Sequence, residues 1–126
     1  MHIKKIMIVD DLPEVTYTVK YGLEKLNPDF DVTRVESGKK CLELLNNNQL
    51  PDLILLDIMM PEMNGWELAR LLRKNIEWRK IPIIFLTATE DETSKITGKI
   101  IGEAFIEKPF DVPSLMKKID EILSKK

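Results

Sequence analysis

The chain has 126 residues, 44% of them hydrophobic and 32% charged, with a formal net charge of -2. That is the length and balance of one globular domain, able to bury roughly two-thirds of its unfolded surface. So small a charge gives no electrostatic footprint for nucleic acid or an anionic membrane, and no apolar run approaches the ~20 residues that span a bilayer.

In chain order, five short apolar runs alternate with five amphipathic segments. The predicted strands are Lys5–Val9, Val32–Val35, Leu53–Leu56, Ile83–Leu86 and Ala104–Ile106. Continuous apolar runs bounded by turn signals belong to strands buried on both faces. The first helix is predicted over Pro13–Leu26, with Pro13 in the first turn, where a missing N–H does no harm. Leu12, Val15, Val19, Leu23 and Leu26 fall on one face at helical spacing. Ser37 is placed to cap a second helix running to Leu45. Asn64 and Glu67 form an Asn-x-x-Glu capping box for a third, with Leu68, Leu71 and Leu72 inward. A fourth is predicted over Glu92–Ile101 and a fifth from Asp111–Pro113, carrying Leu115, Ile119, Ile122 and Leu123 inward.

Strands alternating with helices imply right-handed crossovers. The expected fold is therefore α/β, a doubly wound, five-stranded parallel sheet with five helices on two faces, taken in the flavodoxin-like order 2-1-3-4-5. Residues 1–126 read as a single domain without an output domain.

Isolated features carry little. Cys41 cannot form an internal disulfide and sits in a helical packing pattern with Leu44 and Leu45. His2, the only histidine, has no second ligand candidate nearby. Lys117-Lys118 and Lys125-Lys126 lie towards a helix end, where cations suit the dipole. The N-terminus lacks a signal-peptide pattern, because Asp10 and Asp11 arrive too early. A cytoplasmic location is expected.

The chemistry lies where strands end. Asp10 and Asp11 follow the first strand, Asp57 the third, Thr87 the fourth and Lys108 the fifth. In the expected order these strands are neighbours, and ligands bind beyond the carboxyl ends of such sheets. Three acids on one rim repel one another unless a cation sits among them. Taken alone, Asp10-Asp11 could equally begin a helix, and Thr87 and Lys108 could be ordinary loop residues.

Val9-Asp10-Asp11, Asp57-Ile58-Met59-Met60-Pro61-Glu62-Met63-Asn64-Gly65, Leu86-Thr87-Ala88 and Lys108-Pro109-Phe110 together resemble the receiver domain of two-component response regulators, along essentially the whole chain. The resemblance implies that Asp57 accepts a phosphoryl group from a histidine kinase or histidine phosphotransfer protein. It implies Mg²⁺ (or Mn²⁺) held by Asp10, Asp11, Asp57 and the Met59 backbone carbonyl, and phosphoryl oxygens met by Thr87 and Lys108. Lys108-Pro109 would be a cis peptide. Thr87 and Phe105 would be the switch, acting on a partner-binding face built from the fourth helix, last strand and fifth helix. A ring at 105 without a hydroxyl strands no polar group when buried, so Phe105 is expected to be less exposed at rest than the commoner tyrosine. The protein would be a phosphoacceptor rather than a conventional enzyme, a monomer or weak dimer, with no nucleic acid or membrane partner.

The pattern departs from the family in two places. Thr87 and Lys108 are 21 positions apart, one fewer than usual, which alters the fourth helix or its exit. Met59 and Thr89, two residues beyond Asp57 and Thr87, carry no acid or amide to orient water, so slow self-dephosphorylation is expected. Two readings compete. An aspartate-nucleophile phosphatase of the haloacid-dehalogenase type needs Asp-x-Asp, and Asp57-Ile58-Met59 lacks the second acid. A degenerate, binding-only receiver would not need every phosphorylation position intact.

Overall fold

Alternating directions along the apolar runs, rather than their mean hydropathy, determine which helix each strand residue meets. In a computed structural model that describes residues 3–88 and 104–125, the strands are β1 (Lys4–Val9), β2 (Phe30–Val35), β3 (Leu53–Asp57), β4 (Ile83–Thr87) and β5 (Ala104–Glu107). The helices are α1 (Pro13–Leu26), α2 (Gly38–Asn46), α3 (Gly65–Lys74) and α4 (Val112–Ser124). The predicted Glu92–Ile101 helix lies outside the described residues, so four helices rather than five are seen among those residues. The predicted fifth helix is α4.

All pairings are parallel and the sheet order is β2-β1-β3-β4-β5. Met7, Val9, Ile54, Leu56, Ile83 and Phe85 point towards α2 and α3, where they pack with Cys41, Leu45, Leu68 and Leu72. Their neighbours Ile6, Ile8, Leu53, Leu55, Ile84 and Leu86 point towards α1 and α4, against Val19, Leu23, Leu115 and Ile119. Both faces are covered, which is why β3 and β4 are buried at every position.

The caps form as expected. Ser37 accepts the Lys40 N–H at 3.1 Å, and Asn64 and Glu67 exchange bonds of 2.9 and 3.0 Å. Asp111 accepts the Ser114 N–H at 3.0 Å and starts α4. Three predicted core leucines are exposed instead. Leu12 is the N-cap and Leu26 the last residue of α1, where the chain leaves the sheet; Leu71 is displaced because α3 turns Leu68, Ala69 and Leu72 to the core. No helix among the described residues is long and apolar enough to cross a membrane.

Candidate functional site

Registry brings the acids together. Val9 pairs with Leu56 and Asp57 with Leu86, so the residues after β1, at the end of β3 and at the end of β4 share one rim. Asp10, Asp57 and Thr87 are buried and Asp11 half-buried. One carboxylate oxygen from each of Asp10, Asp11 and Asp57 lies within 4.8 Å of the others.

Asp10 is held on every side. Its N–H donates to the Val35 carbonyl at 3.0 Å, and its Oδ1 accepts the Leu12 N–H at 2.9 Å. Its Oδ2 accepts the Lys108 ammonium at 2.9 Å, and the same Nζ reaches Asp57 Oδ1 at 3.2 Å. Lys108 is fixed from behind, because its own N–H donates to the Thr87 carbonyl at 2.7 Å. The Lys108–Pro109 peptide is cis.

These charges tune one another. Burial, reinforced by the neighbouring Asp10 charge, pushes the Asp57 carboxyl up to about 6 even though Lys108 opposes the shift. Burial works against the Lys108 ammonium too, yet Asp10 and Asp57 outweigh it and hold that group above its ordinary value. Among the described residues, one ammonium faces three gathered carboxylates, which leaves the cluster short of positive charge. An all-oxygen donor set of this kind suits a hard divalent cation such as Mg²⁺ or Mn²⁺.

The loop after Asp57 is built around a close approach. The Ile58 N–H donates to Leu86 at 3.2 Å, and the Gly65 N–H returns to the Ile58 carbonyl at 2.8 Å. A Cβ on Gly65 would stand 2.8 Å from Ile58 Cα and against the Asp57 carbonyl, so only glycine lets α3 start here. The sequence motif contains Gly65, but nothing in its spacing signals that contact. Met59 is 75% exposed beside the site; Thr89 lies outside the described residues.

Phe105 is half-buried rather than solvent-facing, its ring stacked on Phe85 at 5.4 Å and edge-on to Trp66 at 6.1 Å. Trp66, which sequence reasoning did not single out, also packs on Phe85 at 4.5 Å. A cavity of about 410 Å³, lined by residues that include Glu14, Val15, Thr18, Lys108, Pro109 and Phe110, opens beside Lys108.

Comparison with known proteins gives one consistent answer. Residues 6–120 match the family model described as the response regulator receiver domain. The chain is 36% identical over 121 residues to Protein PilH of Pseudomonas aeruginosa, covering 95% of this chain and 98% of that one. It is 35% identical to the phosphate regulon transcriptional regulatory protein PhoB of Rhizobium meliloti, covering 94% of this chain but only 52% of PhoB, so it spans about half of that longer relative. Among solved structures, chemotaxis protein CheY4 of Vibrio cholerae superposes with a TM-score of 0.85 at 26% identity, covering 94% of this chain and 98% of CheY4.

Proposed function

The chain belongs to the response regulator receiver domain family, and we propose that it accepts a phosphoryl group on Asp57 from a histidine kinase or histidine phosphotransfer protein, with Mg²⁺ dependence. The observation that carries this reading is the position of Asp57: a buried carboxylate within 4.8 Å of two further acids and 3.2 Å from an ammonium.

Acyl phosphate formation needs an ionised carboxylate, in-line approach and stabilised equatorial oxygens. With its carboxyl raised only to about 6, Asp57 is still ionised at neutral pH. Its oxygen forms the new O–P bond while the P–N bond to the donor histidine breaks and the electron pair leaves with the imidazole. Lys108, now shared with Asp10, donates to one phosphoryl oxygen, and the Thr87 hydroxyl to another. Asp10, Asp11, Asp57 and the Met59 carbonyl would hold the metal, which when bound supplies further charge neutralisation at the phosphoryl oxygens. The cavity between α1 and the Lys108–Phe110 segment leaves room for a donor's side chains beside Lys108.

The protein acts as a phosphoacceptor that promotes its own phosphorylation and dephosphorylation, in the cytoplasm. Thr87 and Phe105 bias an existing two-state equilibrium, and the face that includes β5 and α4 presents the outcome to a partner protein. Incubation with a small-molecule phosphodonor, followed by intact-mass measurement, tests the reading. One phosphate adduct is expected, lost in Asp57→Asn and in the absence of Mg²⁺. No adduct at all leaves a binding-only receiver.

A further inference from the structure

Lys20 and Glu24, one turn apart on α1, both reach the backbone of one residue on the edge strand β2. The Glu24 carboxylate accepts the Val32 N–H at 2.9 Å, and the Lys20 ammonium donates to the Val32 carbonyl at 2.7 Å. The two side chains also bind each other at 2.8 Å.

Among the described residues, β2 has a strand neighbour on one side only. The Val35 carbonyl accepts the Asp10 N–H at 3.0 Å and the Asp29 carbonyl accepts the Lys4 N–H at 2.8 Å, so odd-numbered residues face β1. Phe30, Val32 and Arg34 therefore turn their backbone groups outward. The Phe30 N–H is taken by the Asn27 carbonyl at 3.0 Å. Val32 holds the centre of the edge, and there α1 supplies an acceptor to its donor and a donor to its acceptor, as a further strand would. The Arg34 side chain also folds back onto α1, donating to Thr16 Oγ1 at 3.0 Å with its guanidinium 5.7 Å from the Tyr17 ring centre.

An open strand edge is a template for pairing with another chain. We infer that Lys20 and Glu24 are an edge guard that keeps β2 from pairing with β2 of a second copy of this chain. A second copy is the fitting occupant because a two-fold axis at Val32 sets Asp31 opposite Thr33 and Phe30 opposite Arg34, so no like charges face each other. The inference is independent of the phosphoacceptor reading.

The test compares wild type with the Lys20→Ala, Glu24→Ala double variant by size-exclusion chromatography with light scattering, folding being checked by circular dichroism. The double variant is expected to show an apparent mass about twofold higher. Adding Arg34→Pro, which removes an outward N–H at an edge position where proline is tolerated, is expected to restore the monomer. A folded double variant of unchanged mass overturns the inference, as does association that survives Arg34→Pro. If the double variant does not fold, Lys20→Met with Glu24→Leu keeps the alkyl packing and is judged the same way. In the wild type itself the Val32 amide is expected to be protected from hydrogen exchange; rapid exchange there overturns the guard.

Discussion

The Lys108 ammonium donates to Asp57 Oδ1 at 3.2 Å, so the proposed phosphoacceptor has a cationic partner from its own chain. The same ammonium holds Asp10 at 2.9 Å. Lys108→Met leaves two buried carboxylates facing each other without compensation. Breaking a buried pair by removing one partner typically costs about 3–5 kcal/mol, so urea denaturation at neutral pH without metal is expected to show a loss of that order. Phosphorylation by a small donor is expected to slow by roughly 10²-fold, the scale of losing one charge-stabilising donor. An unchanged midpoint would mean that Lys108 does not compensate the acids.

Asp57 gives stability a pH dependence of known sign. Its folded carboxyl is raised to about 6 from an ordinary 3.8 by burial and by Asp10, so the folded state binds this proton more tightly than the unfolded one. The stabilisation from that proton is complete below about pH 4 and is lost as pH rises through about 6. Asp57→Asn, measured in chelator, is therefore expected to be more stable than wild type at pH 7.5 by about 1–3 kcal/mol. The gain should shrink at pH 4. A gain that grows on acidification would reverse the assignment.

Gly65 and the backbone around Asp57 predict a packing defect. Gly65→Ala puts a methyl 2.8 Å from Ile58 Cα, where backbone and not a flexible side chain must move. Overpacking of this kind costs about 1–3 kcal/mol. It also displaces the loop that carries Asp57, so adduct formation is expected to slow even under conditions where the variant stays folded. Full wild-type rate in a folded Gly65→Ala would show that α3 does not position the acceptor.

Met59 predicts the lifetime of the product. Met59 is 75% exposed two residues after Asp57, and its thioether cannot orient an attacking water as an amide can. Met59→Asn is expected to shorten the half-life of the phosphorylated protein, followed by mass spectrometry after donor removal. Decay in the wild type that equals or exceeds that of the variant would remove this explanation.

Much of this architecture was legible in the chain because strand ends and helix caps are local signals. Asp57 closes an apolar run, and the Ser37 cap and Asn64–Glu67 box need only a few neighbouring residues. Alternation with helices implied a parallel sheet covered on both faces. The order 2-1-3-4-5 was the flavodoxin-like one that the receiver resemblance supports, and the gathering of Asp10, Asp11 and Asp57 followed from that order. What escaped needs three-dimensional contact. Leu71 has helical spacing, but the roll of α3 leaves it exposed. Gly65 abuts Asp57 only once α3 has docked, and Trp66 at the start of α3 meets Phe85 and Phe105 on the sheet face that α3 covers. Lys20 and Glu24 look like an ordinary helix-surface pair until β2 is placed at the edge.

The central claim is that Asp57, and neither Asp10 nor Asp11, carries the phosphoryl group. Borohydride converts an aspartyl phosphate to homoserine, so phosphorylation with a small donor and Mg²⁺, reduction and peptide mass mapping locate the acceptor directly. Homoserine at position 57, absent without donor, is the predicted result. Homoserine at position 10 or 11 with residue 57 unchanged would contradict it.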